Sequence, residues 1–232
     1  MEMPSQEQIY LTEAEKYEAL VAREDYPNNI QRALDEIVNV NGLDLLDLGA
    51  GTGRFAWMLV PRARSMCAFD LSAHMLAVAR DKLRRSGLPR WLAAVADHRA
   101  LPIPSQSADV MISGWSVSYT AVWNPKQWRA ELDAWLEEAR RVLRENGVIV
   151  LFESLGTGNE SPVRLKHLEN FYPWLDEVGF QYKWIRTDYK FESLEEAEQL
   201  ARFFFGDEMG DEVVEKNRVI LPECTGVWWK KG

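Results

Sequence analysis

The chain has 232 residues, 47% hydrophobic and 27% charged, enough to bury a full core in one domain. Its 27 Lys and Arg stand against 36 Asp and Glu, a formal net charge of −9, which sets the surface against nucleic acid and anionic lipid. No stretch reaches the ~18 uncharged apolar residues of a membrane span, the first twenty residues have neither a basic start nor an apolar leader core, and Cys67 and Cys224 read as free thiols, so a cytoplasmic protein without nucleic-acid or membrane partners is expected.

Residues 5–23 and 28–39 carry apolar positions at helical spacing and read as two helices, separated at Tyr26-Pro27. They form an N-terminal helical cap over 1–40. Short apolar runs then alternate with amphipathic segments: strands at 43–49, 65–71, 91–97, 108–114 and 147–153, and helices at 55–62, 73–86 and 125–144. Strands without polar alternation, each followed by a helix, indicate a parallel sheet covered on both faces. Beyond Glu153 the rhythm changes to a helix at 165–178, a strand at 181–191, a helical segment at 193–216 and a closing strand at 219–231. The last two strands suit an antiparallel edge pair. The fold class is thus α/β: a doubly wound, Rossmann-like, seven-stranded and mostly parallel sheet, helices on both faces. A single domain is expected, with the core at 41–153 and C-terminal strands and a helical elaboration over 154–232.

Ligands of such sheets bind beyond the carboxyl ends of the strands. LLDLGAGTGRF places Gly49, Gly51 and Gly53 at the end of the first strand, where glycine permits positive φ and removes the Cβ that would block a ligand. The loop reads as a ligand cradle; a tight turn needing glycine for geometry alone is the competing reading. G-A-G-T-G followed by Arg54-Phe55 satisfies neither the G-x-G-x-x-G dinucleotide fingerprint nor a phosphate loop ending in G-K-[ST].

DLGAGTGRF, followed by FDLSAHML and AVADHRALPIPSQSADVMISGWS, closely resembles the class I S-adenosylmethionine-dependent methyltransferase family, from about Leu43 to Glu153. The resemblance implies an enzyme that binds S-adenosyl-L-methionine, releases S-adenosyl-L-homocysteine, and holds the cofactor through Asp47, Gly49, Ala50, Gly51, Thr52, Gly53, Asp70, Leu71, Met75, Ala96, Asp97, His98 and Gly114. It implies that Asp47 faces the methionine ammonium, that Asp70 takes both ribose hydroxyls, that Met75 packs on the adenine or ribose, and that Asp97 accepts from the adenine amino group with the His98 backbone N–H near the ring. Each residue also has a structural reading: Asp47 as a strand-end cap, Asp70 as a helix N-cap already supplied by Ser72, Met75 as core filling and Asp97 as a solvated loop acid. His98, beside the adenine, lies at the wrong end for a general base.

A sulfonium methyl is already activated, so in-line displacement by proximity and orientation suffices, which can supply about 7–11 kcal/mol. Neither a metal site nor a catalytic triad is expected. Glu153 and Tyr119 are the candidate catalytic residues, and Tyr10, Tyr17, Tyr26, Trp115, Tyr119 and Trp123 the candidate lining of a dehydrated acceptor chamber, with ordinary ring packing as the alternative. The fourth strand does not end in the N/D-P-P-Y/F pattern associated with exocyclic or amide nitrogens. A small-molecule acceptor is expected. A protein methyltransferase docking basic peptide on FFFGDEMGDE, a non-catalytic cofactor-binding regulator and a nicotinamide-dependent oxidoreductase are the alternatives. The pair Trp228-Trp229 is expected on the last strand, one ring facing each side.

Overall fold

The computed structural model describes residues 6–232. Residues 1–5, which include the expected start of the first helix at residue 5 and the beginning of the segment read as carrying no leader, lie outside the described residues. Three helices come first, α1 (Gln6–Thr12), α2 (Ala14–Val21) and α3 (Asn29–Ile37). The single helix expected over 5–23 is interrupted at Glu13, whose φ of −122° and ψ of 33° leave the helical region.

The core runs β1 (Asp44–Leu48), α4 (Arg54–Leu59), β2 (Ser65–Asp70), α5 (Ala73–Arg85), β3 (Trp91–Val95), β4 (Ala108–Gly114), α6 (Val117–Trp123), α7 (Trp128–Val142) and β5 (Leu143–Thr157). After it come α8 (Phe171–Glu177), β6 (Gln181–Arg186), β7 (Tyr189–Lys190), α9 (Leu194–Phe205), α10 (Asp207–Glu215), β8 (Ile220–Leu221) and β9 (Glu223–Lys231). Seven strands form one sheet in the order β3-β2-β1-β4-β5-β9-β6. The five core strands are parallel, while β9 runs antiparallel to both β5 and β6. The expected architecture is present, and β7 pairs with β8 in a separate two-stranded sheet.

Successive strand residues serve opposite faces, which explains the unbroken apolar runs. Leu46, Leu48, Met111, Ile149 and Leu151 pack with Trp135, Leu136 and Ala139 of α7 and Phe171 and Trp174 of α8. Leu45, Val110, Ile112, Val148 and Val150 pack with Ile30 and Leu34 of α3, Phe55 and Leu59 of α4, and Leu76 and Leu83 of α5. Trp228 belongs to the first layer and Trp229 borders the second, one ring on each side as the alternation requires.

A third, smaller core joins Leu20 of α2 to Tyr189, Phe191, Leu200, Val213 and Leu221. Helix α2 and the segment between β6 and β9 are therefore packed together. Acids of that segment are internally matched: Arg202 bridges Glu198, Asp207 and Asp211, and Lys16 lies 4.2 Å above the Phe203 ring. In FFFGDEMGDE, Phe204 and Phe205 pack against this third core, and Asp207 and Asp211 are paired with Arg202, which weakens the argument for a basic-peptide dock there. Cys67 and Cys224 are free thiols. Among the described residues no helix is long and apolar enough to cross a membrane.

Candidate active site

The three loop glycines all take positive φ, 66° at Gly49, 53° at Gly51 and 81° at Gly53, yet for different reasons. A Cβ on Gly49 would lie 1.9 Å from Ser116 Oγ, and one on Gly53 would lie 2.9 Å from the Ala79 Cβ of α5. Those two positions are closed by the protein itself. A Cβ on Gly51 would meet nothing nearer than Met75 Cε at 3.6 Å, because beside Gly51 lies a cleft of about 270 Å³ at the carboxyl ends of β1, β2 and β4.

Asp70 ends β2 on the wall of this cleft. Its Oδ2 accepts from the Gly51 N–H at 2.8 Å and its Oδ1 from the Ser72 N–H at 2.7 Å, so one carboxylate ties the glycine loop to the start of α5. Burial raises its pKa above the ordinary value. Ser72 caps α5 by accepting from the Met75 N–H at 3.2 Å, and its hydroxyl donates to the Tyr10 carbonyl at 2.7 Å, fastening α1 over the cleft. Met75 is 2% exposed and serves both core and cleft wall.

Leu71, Ala96, Asp97, His98 and Gly114 also line the cleft. Asp97 is gripped by Arg99, whose Nε donates to Oδ1 at 2.9 Å and whose Nη2 donates to Oδ2 at 2.6 Å; this pairing holds the Asp97 pKa down at about 2. Arg99 also reaches Glu131 Oε2 at 3.2 Å. His98 Nε2 lies 3.3 Å from Thr120 Oγ1, and burial pushes its pKa down to about 4, leaving a neutral ring at physiological pH. A Cβ on Gly114 would strike the Phe55 ring at 2.4 Å.

Asp47, Ala50, Thr52 and Gly53 stand behind this wall. Asp47 is 1% exposed; its Oδ2 accepts from the Ala56 N–H at 3.0 Å, while Oδ1 is buried without a partner. Burial raises its pKa to about 7. The Ala50 N–H donates to the Phe69 carbonyl at 3.0 Å.

Five aromatic residues, Tyr10, Tyr17, Trp115, Tyr119 and Trp123, also line the cleft. The Tyr10 and Tyr119 hydroxyls share a 2.9 Å hydrogen bond, and burial pushes the Tyr119 pKa up to about 12. Trp115 adopts a φ of 50°, a strained value for a bulky residue, and its indole packs against both Phe55 and Phe152, with centroids at 6.4 and 6.3 Å, while those two rings touch each other at 5.1 Å.

Two expectations are corrected. Tyr26 is 49% exposed and sits beneath Lys190 at 5.5 Å, away from the cleft, because the turn after α2 directs it outward. Glu153 does not line the cleft either: it is 2% exposed, its Oε1 accepts from the Ser118 N–H at 3.1 Å and its Oε2 from the Ser118 hydroxyl at 2.8 Å. It therefore caps α6, and burial raises its pKa to about 7. Ser116 lines the cleft, as do Leu11, Ser72, Arg99, Thr120 and Glu131, which were not selected from the sequence. Arg99, two residues beyond Asp97, was the most readable of them. Among the described residues no group of three His, Cys, Asp or Glu could hold a metal ion.

Residues 46–151 match the family model described as a methyltransferase domain. Malonyl-[acyl-carrier protein] O-methyltransferase of Serratia marcescens is 36% identical over 118 residues, covering 51% of this chain and 40% of that protein. The protein of the same name from Hahella chejuensis is 32% identical over 145 residues, covering 59% and 47%. The chain thus spans less than half the length of these curated relatives. The crystal structure of a SAM-dependent methyltransferase from Aquifex aeolicus superposes with a TM-score of 0.57 at 15% identity, covering 86% of this chain and 87% of that one, and shares the fold.

Proposed function

We propose that this chain, a member of the class I S-adenosylmethionine-dependent methyltransferases, transfers a methyl group from S-adenosylmethionine to a small-molecule acceptor. The observation that carries the reading is the convergence on one cleft of Gly51, Asp70, Met75 and Asp97, from the loops after three different strands. The residues present fit the cofactor. Gly51 leaves its side-chain position open to the cleft, Asp70 keeps free lone pairs beside its two backbone donors, and Asp47 Oδ1 is an orphaned buried acceptor suited to an ammonium.

When bound, S-adenosylmethionine supplies a methyl group already activated on a sulfonium sulfur. Asp70 would then hold the ribose hydroxyls, Asp97 the adenine amino group, and Gly49, Gly51 and Gly114 the close approach along the backbone. Leu71, Met75, Ala96 and the His98 main chain would flank the nucleoside, with Ala50, Thr52 and Gly53 shaping the loop from behind. The chain's own part is orientation and exclusion of water: α1 closes over the cleft through Tyr10, and Trp115, Tyr119 and Tyr17 wall the acceptor end. Tyr119, with its hydroxyl protonated and bonded to Tyr10, serves as a hydrogen-bond partner for the acceptor and not as a base. The cap at 1–40 and the elaboration at 154–232 act with the core at 41–153 as one unit.

A second reading has one observation in its favour. Leu11, Leu71 and Trp123 on the cleft lining are 58%, 61% and 54% exposed, an apolar rim that suits an acceptor delivered on a carrier protein, as the names of the curated relatives say of them. Titration calorimetry with S-adenosylmethionine, followed by methyl-labelled cofactor and mass spectrometry of the product, tests the main reading. A folded chain that binds NAD and not S-adenosylmethionine would overturn it.

A further inference from the structure

Asp97 follows β3 on a short turn, closed by the Ala100 N–H on the Asp97 carbonyl at 3.0 Å. Among the described residues, all three hydrogen bonds to its carboxylate come from Arg99. The Arg99 main-chain N–H reaches Oδ1 at 2.8 Å, Nε reaches the same oxygen at 2.9 Å, and Nη2 reaches Oδ2 at 2.6 Å. Arg99 is itself held: its Nη1 lies 3.2 Å from Glu131 Oε2 on α7, and Glu131 Oε1 accepts from the Asn124 side-chain amide at the end of α6. His98 ties the same turn to α6, with Nε2 at 3.3 Å from Thr120 Oγ1. Asp97, Arg99 and Glu131 all line the cleft.

We infer that Arg99 is a positioning residue for the cofactor's base: its grip on Asp97 leaves one acceptor position, on Oδ2, for a purine 6-amino group, and so selects adenine over a 6-oxo purine. The inference rests on the methyltransferase reading and on the place that reading gives Asp97, and it goes further in naming what sets the choice of base. A carboxylate has about four acceptor positions. Arg99 fills both on Oδ1 and one on Oδ2, which leaves the last on Oδ2. An ionised carboxylate only accepts, so a 6-amino group donates to it, whereas a 6-oxo group sets oxygen against oxygen. Arg99 also holds the Asp97 pKa down at about 2, which keeps the carboxylate an acceptor at physiological pH. The planar fork matters as much as the charge. Without it Asp97 is a side chain on a partly exposed turn, free to swing toward solvent, and a lysine restores the charge but not the two parallel bonds.

The experiment uses the full chain and measures by calorimetry its affinity for S-adenosylhomocysteine and for S-inosylhomocysteine, which carry adenine and its 6-oxo counterpart. The unsubstituted chain is expected to favour the adenosyl compound by about tenfold or more, as a site built around a donated hydrogen bond does. Arg99→Lys and Arg99→Met are each expected to cut that ratio by about threefold or more, chiefly by weakening the adenosyl compound. Asp97→Asn is expected to do the same, because an amide can turn either its donor or its acceptor to the purine. A merely structural role for Arg99 lowers both affinities together and leaves the ratio where it was. Arg99 is partly exposed, so both of its variants are expected to fold, which circular dichroism checks; should one fail, the other decides. A smaller change of the ratio in any folded variant would overturn the proposal. Equal binding of the two compounds by the unsubstituted chain would overturn it as well and leave the methyltransferase reading standing. Failure to bind S-adenosylhomocysteine at all would overturn both.

Discussion

Asp70 concentrates two tasks in one side chain, since it joins Gly51 to Ser72 by backbone hydrogen bonds and offers its remaining lone pairs to the cleft. Asp70→Ala is expected to weaken S-adenosylmethionine binding by about 1–3 kcal/mol, the range for a lost charge-assisted hydrogen bond; unchanged calorimetric affinity in a folded variant would refute the role. The glycines separate by the same reasoning. Gly51→Ala carries the cost of a left-handed alanine, about 1–2 kcal/mol, with room for the methyl group. Gly49→Ala adds a collision with Ser116. Urea unfolding should therefore rank Gly49→Ala as clearly the less stable, with Gly51→Ala felt chiefly in cofactor affinity. Glu153 is the residue whose role changes most between sequence and structure. As a buried cap bonded twice to Ser118, its replacement by Ala should cost roughly 1–3 kcal/mol of stability through the donors left unpaired, whereas Glu153→Gln should retain most of it. A Glu153→Gln variant that keeps its stability and loses all turnover would restore the catalytic assignment.

At the level of elements, legibility followed from how locally each element is specified. The core strands were readable because burial on both faces demands apolar runs, and the glycine loop because its three positive-φ positions favour glycine. Asp70, Met75 and Asp97 were readable because each lies at or just beyond a strand end, where the chain must deliver its ligand groups. Helix α6 was not foreseen. VSYTAVW is rich in β-branched and aromatic residues, and the helix is anchored by Glu153, 35 residues away in sequence from Ser118. The divisions of 181–191 and 219–231 into two strands each were equally hidden, because β7 and β8 exist only through pairing with one another inside the cap. The fastening of α1 makes a prediction at this scale. Ser72→Ala removes both the α5 cap and the bond to Tyr10, so a loss of about 1 kcal/mol in stability is expected. It should be accompanied by faster cofactor dissociation in stopped-flow measurements; an unchanged off-rate would show that α1 does not close the site.

Across the whole molecule, the buried carboxyls set a pH dependence opposite to that of an ordinary acid-labile protein. Asp47 and Glu153 titrate at about 7, Glu223 at about 8 and Asp25 at about 6, each raised first by burial. Their values in the unfolded chain are near 4, so between about pH 4 and 8 the native state binds more protons than the unfolded state, and stability falls as pH rises through that window. Asp70, also raised by burial, works in the same sense, whereas His98, lowered to about 4, and His167, also lowered by burial, work in the opposite sense below pH 6.5. Asp97, held at about 2 by Arg99, contributes stability that is lost only below about pH 4. Scanning calorimetry is thus expected to give a higher melting temperature near pH 5.5 than at pH 8, and a decline below pH 4; a flat or rising profile between 5.5 and 8 would contradict the buried placement of these acids. Cofactor binding couples to the same groups. An ammonium beside Asp47 favours the carboxylate, so affinity for S-adenosylmethionine should increase as pH rises through 7, and Asp47→Asn should abolish that increase while leaving the melting profile set by Glu153, Glu223 and Asp25 in place.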